Sequence, residues 1–267
     1  MVFDEEINDR VTAAGKAILS QPFGGLGDNL QFSTLPELYY RKGIQCYISS
    51  QNKYRNDEIY DIVWKTNPYV AGISDEEPTA GFPVHLMEGR GFGPQDKRGI
   101  ITAWEILHGF EQRRSFQPPS VFYTPTIKPE LSDKIVVDLG CSTLISSYNP
   151  DKIKSFLEKN FDHDTVLGLK KESKPDIHST VHIQYDMGII QYKLYTEYMD
   201  IICSCKSFVC LYSGSSVLAS ALNINKLFNV YCLFQYPGPV WYNLENPAYL
   251  FDNIKYRNLL IDSQMII

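Results

Sequence analysis

Residues 17–43, AILSQPFGGLGDNLQFSTLPELYYRKG, constrain the fold of this chain more than any other stretch. An apolar strand runs into a turn containing Gly24, Gly25 and Gly27, Asp28 follows the last glycine, and a helix opens at once. Glycine has no Cβ, so such a turn bends tightly and lets the backbone approach a ligand. In open α/β sheets, ligands collect at the carboxyl ends of strands, where this turn and its carboxylate sit. A second unit of the same kind lies at 208–222, FVCLYSGSSVLASAL. One unit in each half predicts an α/β protein of two Rossmann-like domains, their parallel sheets facing a central cleft. A single-domain α/β protein is the alternative.

The pattern between these units supports parallel α/β architecture, because strands and helices alternate. IQCYISS, YVAGI and PVHLM read as strands in the first half, with NDEIYDIVWKTN and GIITAWEILHGF as helices. The Pro-punctuated segment RSFQPPSVFYTPTIKPELSD reads as a linker. The second half restarts with KIVVDLG as a strand, and a helix follows with Asn149 as N-cap and Pro150 at its first position. TVLGLKK and STVHIQYD read as strands, IIQYKLYTEYMDIICSC as a helix, and NLENPAYLFDNIKYRNLLI as a helical tail. The predicted division is 1–128, a first Rossmann-like domain; 129–245, a second Rossmann-like domain; and 246–267, a helical tail packing back on the first domain.

Several side chains sit where chemistry would occur. Asp28 reads either as a cap for a helix beginning near Asn29 or as a reactive carboxylate. Ser213, Gly214, Ser215 and Ser216 open a helix at a strand end, so their backbone N–H groups and hydroxyls suit a diphosphate, or else form a plain tight turn. Lys170 and Glu172 follow a strand, where a lysine offsets phosphate charge and a glutamate holds ribose hydroxyls. Cys141 and Ser142 are similarly placed after KIVVDLG. Gly25, Gly27, Asn29, His85 and Arg90 are candidates for acceptor or loop contacts. His178 and His182 lie four apart with no third ligand, and the Asp162-His163-Asp164 run lies at the wrong end of its strand, so no metal site is expected.

Composition narrows the function classes. The net charge is −6 with no basic block, which excludes an electrostatic grip on nucleic acid. MVFDEEINDR is acidic and polar rather than a secretory leader, and no run of 18 apolar residues is present, so at most peripheral membrane association is expected. The six cysteines lack metal spacing and fall mostly in apolar segments, which reads as a reduced, cytoplasmic protein.

The motifs GGLGDNLQFSTLPELYYRKG and LYTEYMDIICSCKSFVCLYSGSSVLASALN resemble the heptosyltransferase-like glycosyltransferases, family 9 with the GT-B fold. Leu26-Gly27-Asp28 followed by Leu35-Pro36 matches that family's first motif, and Ser213-Gly214 with 218–223, LASALN, matches its second. The chain departs from the pattern at Tyr212, where an acid is usual, at Val217, where a histidine is usual, and at Ser147 and Asn149. The resemblance implies transfer of a sugar from a nucleotide-diphosphate donor to a glycan or glycolipid hydroxyl, inverting and without a metal. It also implies Asp28 as general base and no bound cofactor beyond the nucleotide-sugar co-substrate. A nucleotide-sugar epimerase and a non-catalytic nucleotide- or glycan-binding protein are the rival readings.

Overall fold

Strands that run parallel in the interior are covered on both faces, so they read as continuous apolar runs rather than alternating ones. The computed structural model of the chain describes residues 5–81, 99–111, 116–141, 148–172, 180–235, 250–260 and 263–265. It divides into two units, Met1–Tyr123 with Leu244–Leu250, and Thr124–Asn243 with Phe251–Ile267. The division falls inside the Pro-punctuated segment.

The first unit opens with helix α1 (Glu5–Ala14), which buries Ile7 and Val11, one turn apart. Gly15, at φ +63°, takes the left-handed conformation that turns the chain into strand β1 (Lys16–Ser20), whose Ala17, Ile18 and Leu19 are buried. Helices α2 (Leu26–Phe32) and α3 (Leu35–Arg41) lead to β2 (Gln45–Ser49). Asn56 caps helix α4 through its side chain, which accepts from the Glu58 N–H. That helix runs over Asp57–Tyr60 and widens into a π-turn over Asp61–Lys65. Strands β3 (Val70–Ser74) and β4 (Ala80–Gly81) complete a four-stranded sheet of order β3-β2-β1-β4, parallel throughout. Helix α5 (Ile100–Leu107) packs Trp104 edge-on against Phe32 of α2, with ring centres 5.1 Å apart.

The second unit holds β5 (Ile135–Asp138), α6 (Pro150–Asn160), β6 (Val166–Lys171), β7 (Gly188–Tyr192), α7 (Tyr195–Ser204) and β8 (Ser207–Leu211). It continues with α8 (Gly214–Leu222), β9 (Asn229–Phe234), β10 (Lys255–Asn258) and β11 (Ser263–Met265). The sheet order is β11-β10-β9-β8-β5-β6-β7, parallel except where β11 runs against β10. Every residue of β8 is buried, as the middle strand of a sheet covered on both faces must be. Asn149 caps α6 by accepting from the Asp151 N–H, as its place before Pro150 predicts.

Three expectations from sequence differ. Residues 188–192 form a strand where a helix was expected, and the segment 181–187 ahead of it is irregular rather than a strand. Gly168 of β6 explains the strand: a Cβ there would lie 2.9 Å from Ile189 Cδ1, so the missing side chain admits β7 at the sheet edge. The tail is not helical over its described part, since 255–258 and 263–265 are strands of the second unit's sheet. Asn253 redirects the chain there by donating to the carbonyls of Ser220 (2.8 Å) and Asn223 (3.1 Å) at the end of α8, so the next residues meet the edge of β9. The expected strand PVHLM lies outside the described residues. No described helix is long and apolar enough to cross a membrane.

Candidate functional site

Each sheet has a point where strand order reverses, and ligands bind outside the strand ends there. In the first unit β1 lies between β2 and β4, and in the second β5 lies between β6 and β8. Both small-residue turns leave the carboxyl ends of strands at these points.

The first turn is built by close backbone approach. The Arg55 N–H donates to the Gly24 carbonyl at 3.0 Å, and a Cβ on Gly24 would lie 3.0 Å from both Arg55 N and Lys53 O. A Cβ on Gly25 would lie 2.5 Å from Asp28 Oδ2, so the carboxylate occupies the volume a side chain would need. The Arg55 guanidinium carbon is 3.9 Å from that same point, which brings a cation and the Asp28 carboxylate to one glycine. Helix α2 starts at Leu26 with Gly25 as its N-cap, so Asp28 is not the cap but a half-buried residue of the first turn. A carboxylate in a helix's first turn is favoured by the helix dipole by about 0.3–1 kcal/mol.

Asn29, expected among the acceptor or loop contacts, has no exposed surface. Its amide donates to the Gly25 carbonyl at 2.8 Å, and its carbonyl accepts from the Trp64 indole at 2.8 Å. Asn29 therefore fixes the turn from beneath rather than facing a ligand. Gly27 is buried as well, and its carbonyl accepts from Gln31 Nε2 at 3.1 Å. The Gln21 N–H at the end of β1 donates to Asn52 Oδ1 at 3.1 Å, tying the β1 turn to the loop after β2.

The second turn has a partner that sequence reasoning missed. Asp138, the last residue of β5, accepts three hydrogen bonds: from the Gly140 N–H (2.8 Å), the Tyr198 hydroxyl (2.5 Å) and the Ser215 hydroxyl (2.6 Å). Burial pushes the Tyr198 phenol well above its ordinary range, with the Asp138 charge adding to the shift, so the ring keeps its proton and donates. An acid closing an otherwise apolar strand, IVVD, was the available signal. A carboxylate thus reaches the serine turn from the neighbouring strand β5.

The serine hydroxyls are engaged within the protein. Ser215 donates to Asp138, and Ser216 donates to the Ser213 carbonyl at 2.8 Å. Ser213 makes only long bonds, to Gly140 O (3.3 Å) and Leu211 O (3.4 Å), and its oxygen accepts from the Ser215 N–H at 3.3 Å. Ser213, Gly214 and Ser215 are half-buried and Ser216 is buried. Val217 is wholly buried, and the buried Tyr212 donates its N–H to the Tyr148 hydroxyl at 3.1 Å.

Lys170 lies exposed on β6, next to the strand that carries Asp138. Glu172 pairs with Lys193 at 3.4 Å, and Lys171 places its ammonium 4.5 Å from the Tyr195 ring centre. Cys141 is 3% exposed and packs in the core with Ile135, Val137 and Ile153, as a small apolar thiol does. Ser142, His85 and Arg90 lie outside the described residues, as do Ser147 and His178. Asp162, His163 and Asp164 are exposed at the entry to β6, opposite the ligand end. Among the described residues no group of three or more His, Cys, Asp or Glu side chains is placed to hold a metal ion.

No family model matches the sequence, and no curated protein matches it either. Solved structures do match. The iron-containing dodecameric glycosyltransferase TibC of enterotoxigenic E. coli superposes with a TM-score of 0.60 at 18% identity, over 88% of this chain and 62% of TibC. The ADP-heptose lipopolysaccharide heptosyltransferase II of E. coli gives 0.53 at 11% identity, over 90% of this chain and 89% of that one. A family 9 glycosyltransferase from Veillonella parvula gives 0.52 at 8% identity, over 88% and 84%. The chain spans about three fifths of the length of TibC. At these identities the likeness establishes architecture: the chain has the α/β fold of the heptosyltransferase-like, family 9 glycosyltransferases.

Proposed function

We propose that this protein is a glycosyltransferase that moves a sugar from a nucleotide-diphosphate donor to a hydroxyl of a glycan or glycolipid. The observation that carries the reading is the Asp28 turn. On a fold shared with an ADP-heptose-dependent transferase, a carboxylate sits at the switch point of the first sheet, in the space that a side chain on Gly25 would take. In this reading Asp28 takes the proton of the attacking hydroxyl as that oxygen bonds to the anomeric carbon, and the configuration inverts because the diphosphate leaves from the opposite face.

The second unit binds the donor. A diphosphate beside Ser215 would meet the Asp138 charge, and two like charges about 5 Å apart repel by roughly 3 kcal/mol near a protein surface. The phosphates therefore sit on the Gly214 side of the turn, against its backbone N–H and the positive end of α8, displacing the long bonds of Ser213. Lys170 contributes positive charge, and Glu172 accepts from ribose hydroxyls once it leaves Lys193. Leaving-group stabilisation by these protein groups needs no metal, and turnover is expected to survive chelation.

Asp138 also favours the rival reading of a non-catalytic nucleotide binder, since it sets a negative charge beside the leaving group. One experiment separates the two. Thermal shift against nucleoside diphosphates and nucleotide sugars is expected to show stabilisation of both the wild type and Asp28→Asn, with donor consumption in the wild type alone. Equal donor consumption by Asp28→Asn removes the assigned base.

A further inference from the structure

A pocket of about 330 Å³ opens at the carboxyl ends of β2 and β3, in the same unit as Asp28. This volume lies at the small end of the range for ligand sites, about 300–1,000 Å³. Tyr54 and Tyr60 form part of its wall, with ring centres 5.8 Å apart and planes inclined at 57°, so the rings are tilted rather than stacked on one another. Asp57 and Asp61 supply carboxylates from α4, and Ser49 and Ser50 supply hydroxyls from the end of β2. Ile73 of β3, 54% exposed, adds an apolar patch.

We propose that this pocket is a saccharide subsite that holds a sugar ring of the acceptor next to the one that reacts; the assignment to an acceptor rests on the transferase reading. A pyranose has apolar C–H faces and a rim of hydroxyls. Tilted aromatic rings pack against the faces, and carboxylates accept from the rim. The charge pattern disfavours a cation as the occupant. Asp61 already pairs with Lys65 at 3.0 Å, so a cation of the chain offsets one of the two carboxylates. Carboxylates whose charge is partly offset still accept from neutral hydroxyls.

The chain path links the pocket to the Asp28 turn. Tyr54 lies in the wall, while Arg55 beside it donates its N–H to Gly24 and brings its guanidinium to Gly25, against which Asp28 Oδ2 rests. One short loop thus reaches both the glycine turn and the aromatic wall. The wall of the pocket and the Asp28 turn are thereby linked through one loop, as an acceptor with a reacting ring and a neighbouring ring requires.

The test is saturation-transfer NMR on the full chain, with methyl β-glucoside, maltose and a manno-configured heptose as probes and choline as the cationic control. At least one saccharide is expected to bind saturably, and Tyr60→Ala is expected to weaken it about tenfold. The isosteric, exposed change Asp57→Asn is expected to weaken it by a similar factor without altering the melting temperature. Nucleoside diphosphate binding is expected to be unchanged in both variants. Failure of every saccharide to saturate, wild-type affinity in Asp57→Asn, or preference for choline overturns the subsite. Saccharide binding in a protein that consumes no nucleotide sugar would leave the subsite standing and remove the transferase reading instead.

Discussion

The two small-residue turns use the same backbone device and surround it with different chemistry. After β1, glycines bring the backbone against a neighbouring loop, and the turn's own carboxylate lies beside the Arg55 guanidinium. At the other turn, after β8, three serines engage their hydroxyls internally, and the carboxylate arrives from β5 with three donors around it. The first arrangement leaves a half-buried carboxylate in the turn itself, the group the proposed reading uses for proton transfer. The second holds its acid in a network of three donors, and the proposed reading gives the anion to backbone N–H groups instead. Strand–turn–helix spacing therefore locates both turns, while the charge at the second is decided by a residue from another strand.

The largest effect that could break this contrast is on turnover. Asp28→Asn is expected to lower the rate of sugar transfer about 10²–10⁴-fold, the usual contribution of a positioned base, with nucleotide affinity unchanged. Steady-state kinetics with parallel calorimetry measures both. If affinity falls with rate, the carboxylate shapes the donor site and the two turns are not functionally distinct.

Next come the residues that fix each turn. Asn29→Ala strands the Trp64 indole N–H in a buried site and is expected to cost about 1–3 kcal/mol in urea unfolding. Tyr198→Phe removes one of three donors to Asp138, and hydrogen bonds to charged groups are worth about 1.5–3 kcal/mol. A loss well below 1 kcal/mol for Tyr198→Phe would show that Asp138 does not depend on this network, and the contrast between the turns would weaken.

A pH-dependent effect is expected in the first unit. His108 is 3% exposed, with its Nδ1 2.8 Å from the Tyr39 hydroxyl. Burial lowers its pKa from 6.5 to about 3. The unfolded chain binds a proton below pH 6.5 that the folded protein refuses until about pH 3. Stability is therefore unaffected by this group above 6.5 and falls as the pH drops through that window. His108→Asn is expected to flatten the decline in melts between pH 7 and pH 4, and an unchanged slope would move the sensitivity elsewhere.

Local signals made much of the fold legible in the sequence. Buried strands such as FVCL and IVVD, the cap pair Asn149-Pro150 and the glycine turn each carry their conformation in a few adjacent residues. The regions that differ depend on distant partners. Residues 188–192 are a strand because Gly168 makes room for them, and the tail extends because Asn253 is held by the end of α8. The same limit governs the site. Asp28 was visible because its own turn announces it, whereas Asp138 gains meaning only once Tyr198 and Ser215 are folded onto it. Cys141 and Asn29 stood at plausible positions in the chain, and burial assigns both to the interior.

The central claim is tested most directly by following donor and sugar together. The protein is incubated with ADP-heptose and other nucleotide sugars, with and without a saccharide acceptor, and NMR records nucleoside diphosphate release and the anomeric configuration of any product. Acceptor-dependent release of the diphosphate with inverted configuration is the predicted result. Donor that stays intact throughout, or an isomerised sugar formed without acceptor, would contradict it.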